Sequence, residues 1–309
     1  MAVLSIANLG LRTGQKWALW DVNLEIDFGE ILGVLGRSDA GKTMLARVIA
    51  GLEEPTRGEL TLSDPDNPLE FMPSVGFSTP AAAKELTVYE NMDLFARLWG
   101  VPRKKRAREI GFLLELVRLA DQRSARAERL SSGALRRLEI ARALVADSPL
   151  TVFDGLLDAL DADVLGKLWD HVLSLRRNEH KSFLILTSSG KVAEMCTRIA
   201  VLARGRMGFV GRPDDFRKLA GEDTVVIGEM INPLLRNRIQ EQLSVVIKEQ
   251  EGFLSFRISN GERAVTDLLA EFGSEIGCVY LKRPKLEDAL DVLAGETPAI
   301  AVEAMGSRE

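Results

Sequence analysis

The sequence predicts an α/β protein with a mostly parallel sheet crossed by helices, a helical insertion within it, and a smaller α+β unit after it. Three observations carry this reading. Short apolar runs of strand length alternate with helix-length amphipathic stretches between about residues 31 and 203, which argues for parallel strands joined by crossovers. A glycine-rich loop lies between one such strand and a helix, in EILGVLGRSDAGKTMLARVIAG at 30–51. From about residue 222 the pattern changes to strand, helix, strand, strand, helix, strand, the split-βαβ arrangement.

Taken in order, residues 3–9 and 20–28 alternate apolar and polar side chains around a loop at 12–16, and read as antiparallel strands. Residues 31–35 form a buried strand, 44–50 a helix closed by Gly51, and 58–62 another short strand. The Asp-, Asn- and Pro-rich stretch 63–73 reads as a loop. After a brief strand at 75–77 come helices at about 88–99, 105–119 and 134–146, which fit a helical subdomain at about 84–146. Then follow strand 150–154, helix 163–177, strand 182–187, short helix 191–196 and strand 198–203. The second unit has strands at 224–229, 244–249, 253–258 and 276–281 and helices at 233–242 and 262–271. A last helix at about 285–293 follows Pro284, and the tail from 295 to 309 has little pattern. These elements divide the chain into domains 1–220 and 222–294.

Composition narrows the function classes. At 46% hydrophobic and 28% charged residues the chain can build a full core. Its net charge of −5 gives no general attraction to nucleic acid, so no nucleic-acid partner is expected. Cys196 and Cys278 are far apart and suggest no disulfide framework. No apolar run approaches the ~18 residues that span a bilayer, and the N-terminus lacks a signal-peptide pattern. The expectation is a cytoplasmic chain whose membrane role requires partners. His171 and His180 have no metal-ligand spacing, and the basic run 103–108 reads as a solvated helix start.

The loop Gly36-Arg37-Ser38-Asp39-Ala40-Gly41-Lys42-Thr43, followed by Met44, fits G-x-x-x-x-G-K-[ST] in its required strand–loop–helix context. Successive backbone N–H groups and the positive helix end there face one anion. Lys42 adds a point charge for outer phosphates and the Thr43 hydroxyl is a Mg²⁺ ligand. Asp39 is unusual, because an acid beside phosphates is repulsive. Three further segments stand downstream. Leu130-Ser131-Ser132-Gly133-Ala134 precedes a helix, with Ser131 or Ser132 as its N-cap. Asp154 closes an apolar strand, and Ala159-Leu160-Asp161 follows it.

In this order the four motifs resemble those of an ATP-binding subunit of an ABC transporter, over roughly residues 1–220. The stretch LKRPKLED at 281–288 further resembles the appended domain of daunorubicin-resistance-like and sodium-efflux-like exporter ATPases. The resemblance implies a P-loop NTPase core with antiparallel-β and helical subdomains, and a ferredoxin-like C-terminal domain. It implies ATP and Mg²⁺ as ligands, with Thr43 and Asp154 on the metal, a second ATP-binding subunit, and transmembrane subunits. In such a dimer Ser131, Ser132 and Gly133 would face the partner's nucleotide, and Asp161 would lie in the D-loop. Similar loops in translational GTPases carry Asp at the position of Asp39, so it need not abolish binding.

Departures from the family pattern are concentrated on hydrolysis. The Glu expected after Asp154 is Gly155, the switch His falls on Ser189, and the Q-loop Gln aligns with Pro80. The adenine-stacking aromatic aligns with Thr13, with Trp17 close by as a substitute or as a core residue. Asp158 is a candidate to stand in for the missing Glu, but three residues downstream it is expected to point elsewhere. A positioned acid or base contributes typically ~10²–10⁴ in rate, so these losses imply ATP binding with little hydrolysis and an active partner subunit. A slow homodimeric ATPase and a nucleotide-free scaffold are the alternatives.

Overall fold

The computed structural model describes residues 1–64, 71–219, 221–230, 235–250, 253–286 and 290. The chain divides into two units, Met1–Pro213 and Asp214–Glu296.

In the first unit, β1 (Ala2–Thr13) and β2 (Lys16–Asp27) pair antiparallel, and β4 (Arg57–Leu62) joins the other edge of β1. Both long strands reach further than their alternation suggests, because the pairing Thr13↔Lys16 leaves only Gly14 and Gln15 to turn. Gly14 has φ 62°, a conformation that a glycine adopts without steric cost. Alternate residues Val22, Leu24 and Ile26 of β2 turn inward and pack on the second sheet.

That sheet has six strands in the order β5-β6-β7-β3-β8-β9. They are β3 (Ile31–Leu35), β5 (Ser74–Phe77), β6 (Leu150–Asp154), β7 (Ser182–Thr187), β8 (Arg198–Ala203) and β9 (Arg206–Gly211). All neighbours are parallel except β8 and β9, which form a hairpin through Arg204-Gly205. Strands β3, β6 and β7 are buried at every residue, as expected of a sheet covered on both faces. Sequence pattern missed β9, because the glycines of RMGFVG interrupt its alternation.

The covering helices are α1 (Lys42–Ile49), α5 (Ala162–Glu179) and α6 (Gly190–Glu194). Between β5 and β6 lie α2 (Val88–Leu98), α3 (Arg103–Leu116) and α4 (Ser132–Val145), which pack on one another. Thr87 and Glu90 cap α2 reciprocally, and Ser131 caps α4 by accepting from Ala134 N at 3.2 Å. Register then sets the edge that matters. Leu35 pairs with Thr187 and Asp154 with Leu186, so three parallel strands release their chain ends side by side.

The second unit contains α7 (Pro213–Leu219, whose first residue belongs to the first unit), β10 (Asp223–Met230), α8 (Leu235–Leu243) and β11 (Lys248–Gln250). Its remaining elements are β12 (Phe253–Ile258), α9 (Gly261–Phe272) and β13 (Ile276–Lys282). The sheet order β11-β12-β10-β13, antiparallel throughout, is the split-βαβ order of a ferredoxin-like unit. Its own core joins Val225, Ile227, Leu235, Ile239, Phe256, Leu268 and Phe272. The unit begins ahead of the boundary at 220/222 read from sequence, because α7 was not legible as a helix. Most of the expected helix at 285–293, the tail from 295 and part of the 63–73 loop lie outside the described residues.

Candidate nucleotide-binding site

The phosphate loop leaves β3 at Gly36, and its glycines are required by contact. A Cβ on Gly36 would stand 2.4 Å from Leu202 O, and one on Gly41, at φ 107°, would stand 2.9 Å from Ala18 O. Arg37, Ser38 and Asp39 are exposed, with Asp39 itself at φ 67°, while Ala40 is buried. Gly205 N donates to Ala40 O at 2.9 Å and fastens the loop to the β8–β9 turn. Lys42 folds back over the loop, donating from Nζ to Gly36 O at 2.6 Å and to Arg37 O at 2.9 Å. Burial holds its ammonium below the usual lysine range, opposed by Asp158, Asp154 and Asp39 in that order.

Asp154 ends β6 opposite this loop and is buried. The Thr43 hydroxyl donates to it, yet Oδ2 has no partner among the described residues. Burial raises its pKa, opposed by the Thr43 hydrogen bond and by Lys42. An orphaned buried carboxylate oxygen beside a hydroxyl is a donor set that suits a hard dication with oxygen ligands. Mg²⁺ therefore fits Thr43 and Asp154.

The other sequence candidates are distributed around this edge. Gly155 follows Asp154 at φ 64°, and its N–H donates to Leu186 O at 2.9 Å. Ser189 is the N-cap of α6, accepting from Val192 N. Ser188 is the first residue beyond β7 and is exposed. Pro80 is exposed in the loop after β5, and Asp161 is the exposed N-cap position of α5. Ser131, Ser132 and Gly133 are all exposed at the start of α4, with nothing within 4 Å of a Cβ on Gly133. Trp17 is half-buried rather than a core residue. Its ring meets Trp20 edge-on at 4.5 Å, with Arg12 over its face at 4.8 Å.

Two acids went unread or misread in the sequence. Asp158 turns to the end of β7: it accepts from Thr187 Oγ1, and from Ser188 N and Oγ, each at 2.8 Å. Glu139, taken only as part of a helix, is buried in α4. It accepts from Ala81 N at 2.8 Å and from Arg142 Nη1 at 2.5 Å, and the Arg142 guanidinium covers the Phe95 ring at 3.6 Å. Burial raises the Glu139 pKa and lowers that of Arg142, each against the pull of the other. This pair ties the Pro80 loop to the helix that begins at Ser131. An acid on the inner face of an amphipathic helix was its only sequence signal.

Comparison with known proteins matches residues 19–156 to the ABC transporter family model. The methionine import ATP-binding protein MetN of Ralstonia nicotianae is 34% identical over 255 residues, 76% of this chain and 71% of that one. The chain belongs to the ABC transporter family. It is an ABC ATP-binding subunit, and ATP with Mg²⁺ is the ligand of such domains. The Nod factor export ATP-binding protein I of Cupriavidus pinatubonensis is 29% identical over 310 residues, 95% of this chain and 91% of that one. A solved ATP-binding subunit of an ABC transporter, 28% identical, superposes with a TM-score of 0.59 over 70% of this chain and 92% of its own. The dimeric ATP-binding cassette MJ0796 bound to ADP and Pi gives 0.60 at 24% identity, over 68% of this chain and 98% of its own, a likeness of fold. The expected P-loop ABC ATPase fold, with its antiparallel-β and helical parts, is thus present.

Proposed function

We propose that this ABC subunit binds MgATP through Gly36–Met44, with Thr43 and Asp154 on the metal, and hydrolyses it little at that loop. The observation that carries the reading is the residue beyond Asp154. Gly155 has no side chain, and its left-handed backbone is the conformation other residues adopt with strain. Ground-state binding rests on the loop, Lys42 and the metal ligands, all of which remain. Positioning of the reactants, water included, together with transition-state electrostatics supplies nearly all of phosphoryl-transfer catalysis. Neither Ser188 nor Ser189 carries an imidazole, and Pro80 carries no amide, to supply it.

The same reading makes this chain one half of a pair, on the cytoplasmic face of the membrane, with transmembrane subunits. The exposed Ser131-Ser132-Gly133 turn is suited to complete an active partner's nucleotide site. Export is favoured over import because the match to the Nod factor exporter runs through nearly the whole chain, second unit included. Phosphate release by the purified subunit, set against Lys42→Ala, tests the main claim. Turnover at ~1 s⁻¹ or faster, typical of enzymes, would replace it with a homodimeric ATPase. Co-purification from the native membrane identifies the partner. Recovery of a homodimer alone would remove the paired-subunit reading.

A further inference from the structure

We propose that Asp158 is a positioning residue that sets the phosphate selectivity of this site, by occupying the donors of Thr187 and Ser188 that otherwise face the terminal phosphate of a nucleoside triphosphate. The proposal rests on nucleotide binding at the phosphate loop. Thr187 is at the mouth of that loop, since it pairs with Leu35 and its carbonyl accepts from Gly36 N at 3.1 Å. Lys42, held by the carbonyls of Gly36 and Arg37, lies on the same side. Three donors gather here: the Thr187 hydroxyl, the Ser188 N–H and the Ser188 hydroxyl. All three go to one carboxylate.

An ionised carboxylate is an acceptor-only anion, as a phosphate oxygen is, and it attracts the same donors with charge-assisted strength. Asp158 therefore stands in their view as an internal substitute for an outer phosphate. An incoming γ-phosphate must displace it, or go without those donors and lie beside its negative charge. A diphosphate meets neither obstacle. Gly155 makes the arrangement possible. Its positive φ and the bond from its N–H to Leu186 O turn the chain back at once after Asp154. The third residue on thereby reaches the end of β7. The glycine that removes an acid from one position delivers another.

The expected result for the full-length protein with Mg²⁺ is similar affinity for ATP and ADP, within about threefold. Asp158→Ala should raise the ATP-to-ADP affinity ratio about tenfold, the equivalent of one charge-assisted hydrogen bond regained. Adding Ser188→Ala to Asp158→Ala should remove part of that gain, and adding Thr187→Val as well, which leaves only the Ser188 N–H, should remove most of it; Asp158→Asn, which keeps one acceptor, should give a smaller gain than alanine. If Asp158→Ala fails to fold by circular dichroism, the asparagine variant and the same additions to it carry the test. A ratio unmoved by both Asp158 variants overturns the proposal, as does a gain left whole when both the Thr187 and Ser188 hydroxyls are removed, which would mean relief of repulsion alone. Wild-type protein that binds neither nucleotide, or binds both as well with Lys42→Ala, overturns the loop reading and this proposal with it.

Discussion

Single residues test the proposed division of the site into a phosphate loop that binds and positions that no longer support hydrolysis. Lys42→Ala removes the charge facing the outer phosphates and should weaken MgATP at least tenfold by calorimetry. Equal affinity of the two proteins would exclude the phosphate loop as the site. Gly155→Glu alone should leave phosphate release at the Lys42→Ala level. A Cβ there has room, 3.6 Å from Ser78 Cβ, but φ 64° strains any L residue by ~1–2 kcal/mol. Gly155→Glu with Ser189→His and Pro80→Gln should exceed the sum of the singles, because groups acting on one transition state are not additive. Since Ser188 is the first residue after β7, Ser188→His in the same background is the natural comparison. Away from the site, Cys196 is buried and its thiol is pushed far up by desolvation, while Cys278 is partly exposed. A thiol reagent should therefore titrate one cysteine in the native protein and both after denaturation. Two fast-reacting thiols in the native state would contradict this packing.

Among the elements, α4 connects the most chemistry. It starts at the exposed Ser131 cap and holds the Pro80 loop through Glu139. Glu139→Ala leaves the buried Arg142 without its charge partner, a change that typically costs ~3–5 kcal/mol. Replacing both with apolar residues of similar volume should cost clearly less. Urea denaturation of the single and double variants measures this, and equal losses would show that the pair does not act as a unit. Helices α2 to α4 were legible from their apolar spacing, with which the Ser131 cap of α4 agrees. Strand β9 and α7 were not. The first has its period broken by Gly208 and Gly211, and the second is a seven-residue helix too short to show one.

On the scale of the whole molecule, we propose that the ATP-binding core and the C-terminal α+β unit separate near 213–222. Each has a core of its own. Limited proteolysis should cut in this interval and leave a folded N-terminal fragment by circular dichroism. A truncation there that unfolds the core would place the boundary elsewhere. Among the described residues no helix is long and apolar enough to cross a membrane.

By itself the sequence determined the class of sheet, the loop between β3 and α1, the end of β6 at Asp154 and the order of the second unit. Each of these depends on local periodicity or on a motif contiguous in the chain, so neighbouring residues suffice to reveal it. Tertiary structure decided what stands beside what. Parallel register brought Leu35, Asp154 and Thr187 to one edge from positions far apart in the chain. The chain beyond Asp154, which turns at Gly155 with a positive φ, set Asp158 against Ser188 at the end of β7. Burial made Glu139 a link between the Pro80 loop and α4 rather than a surface acid. Contacts of this kind join segments through space, and a backbone turn of one residue redirects them, so no spacing along the chain encodes them.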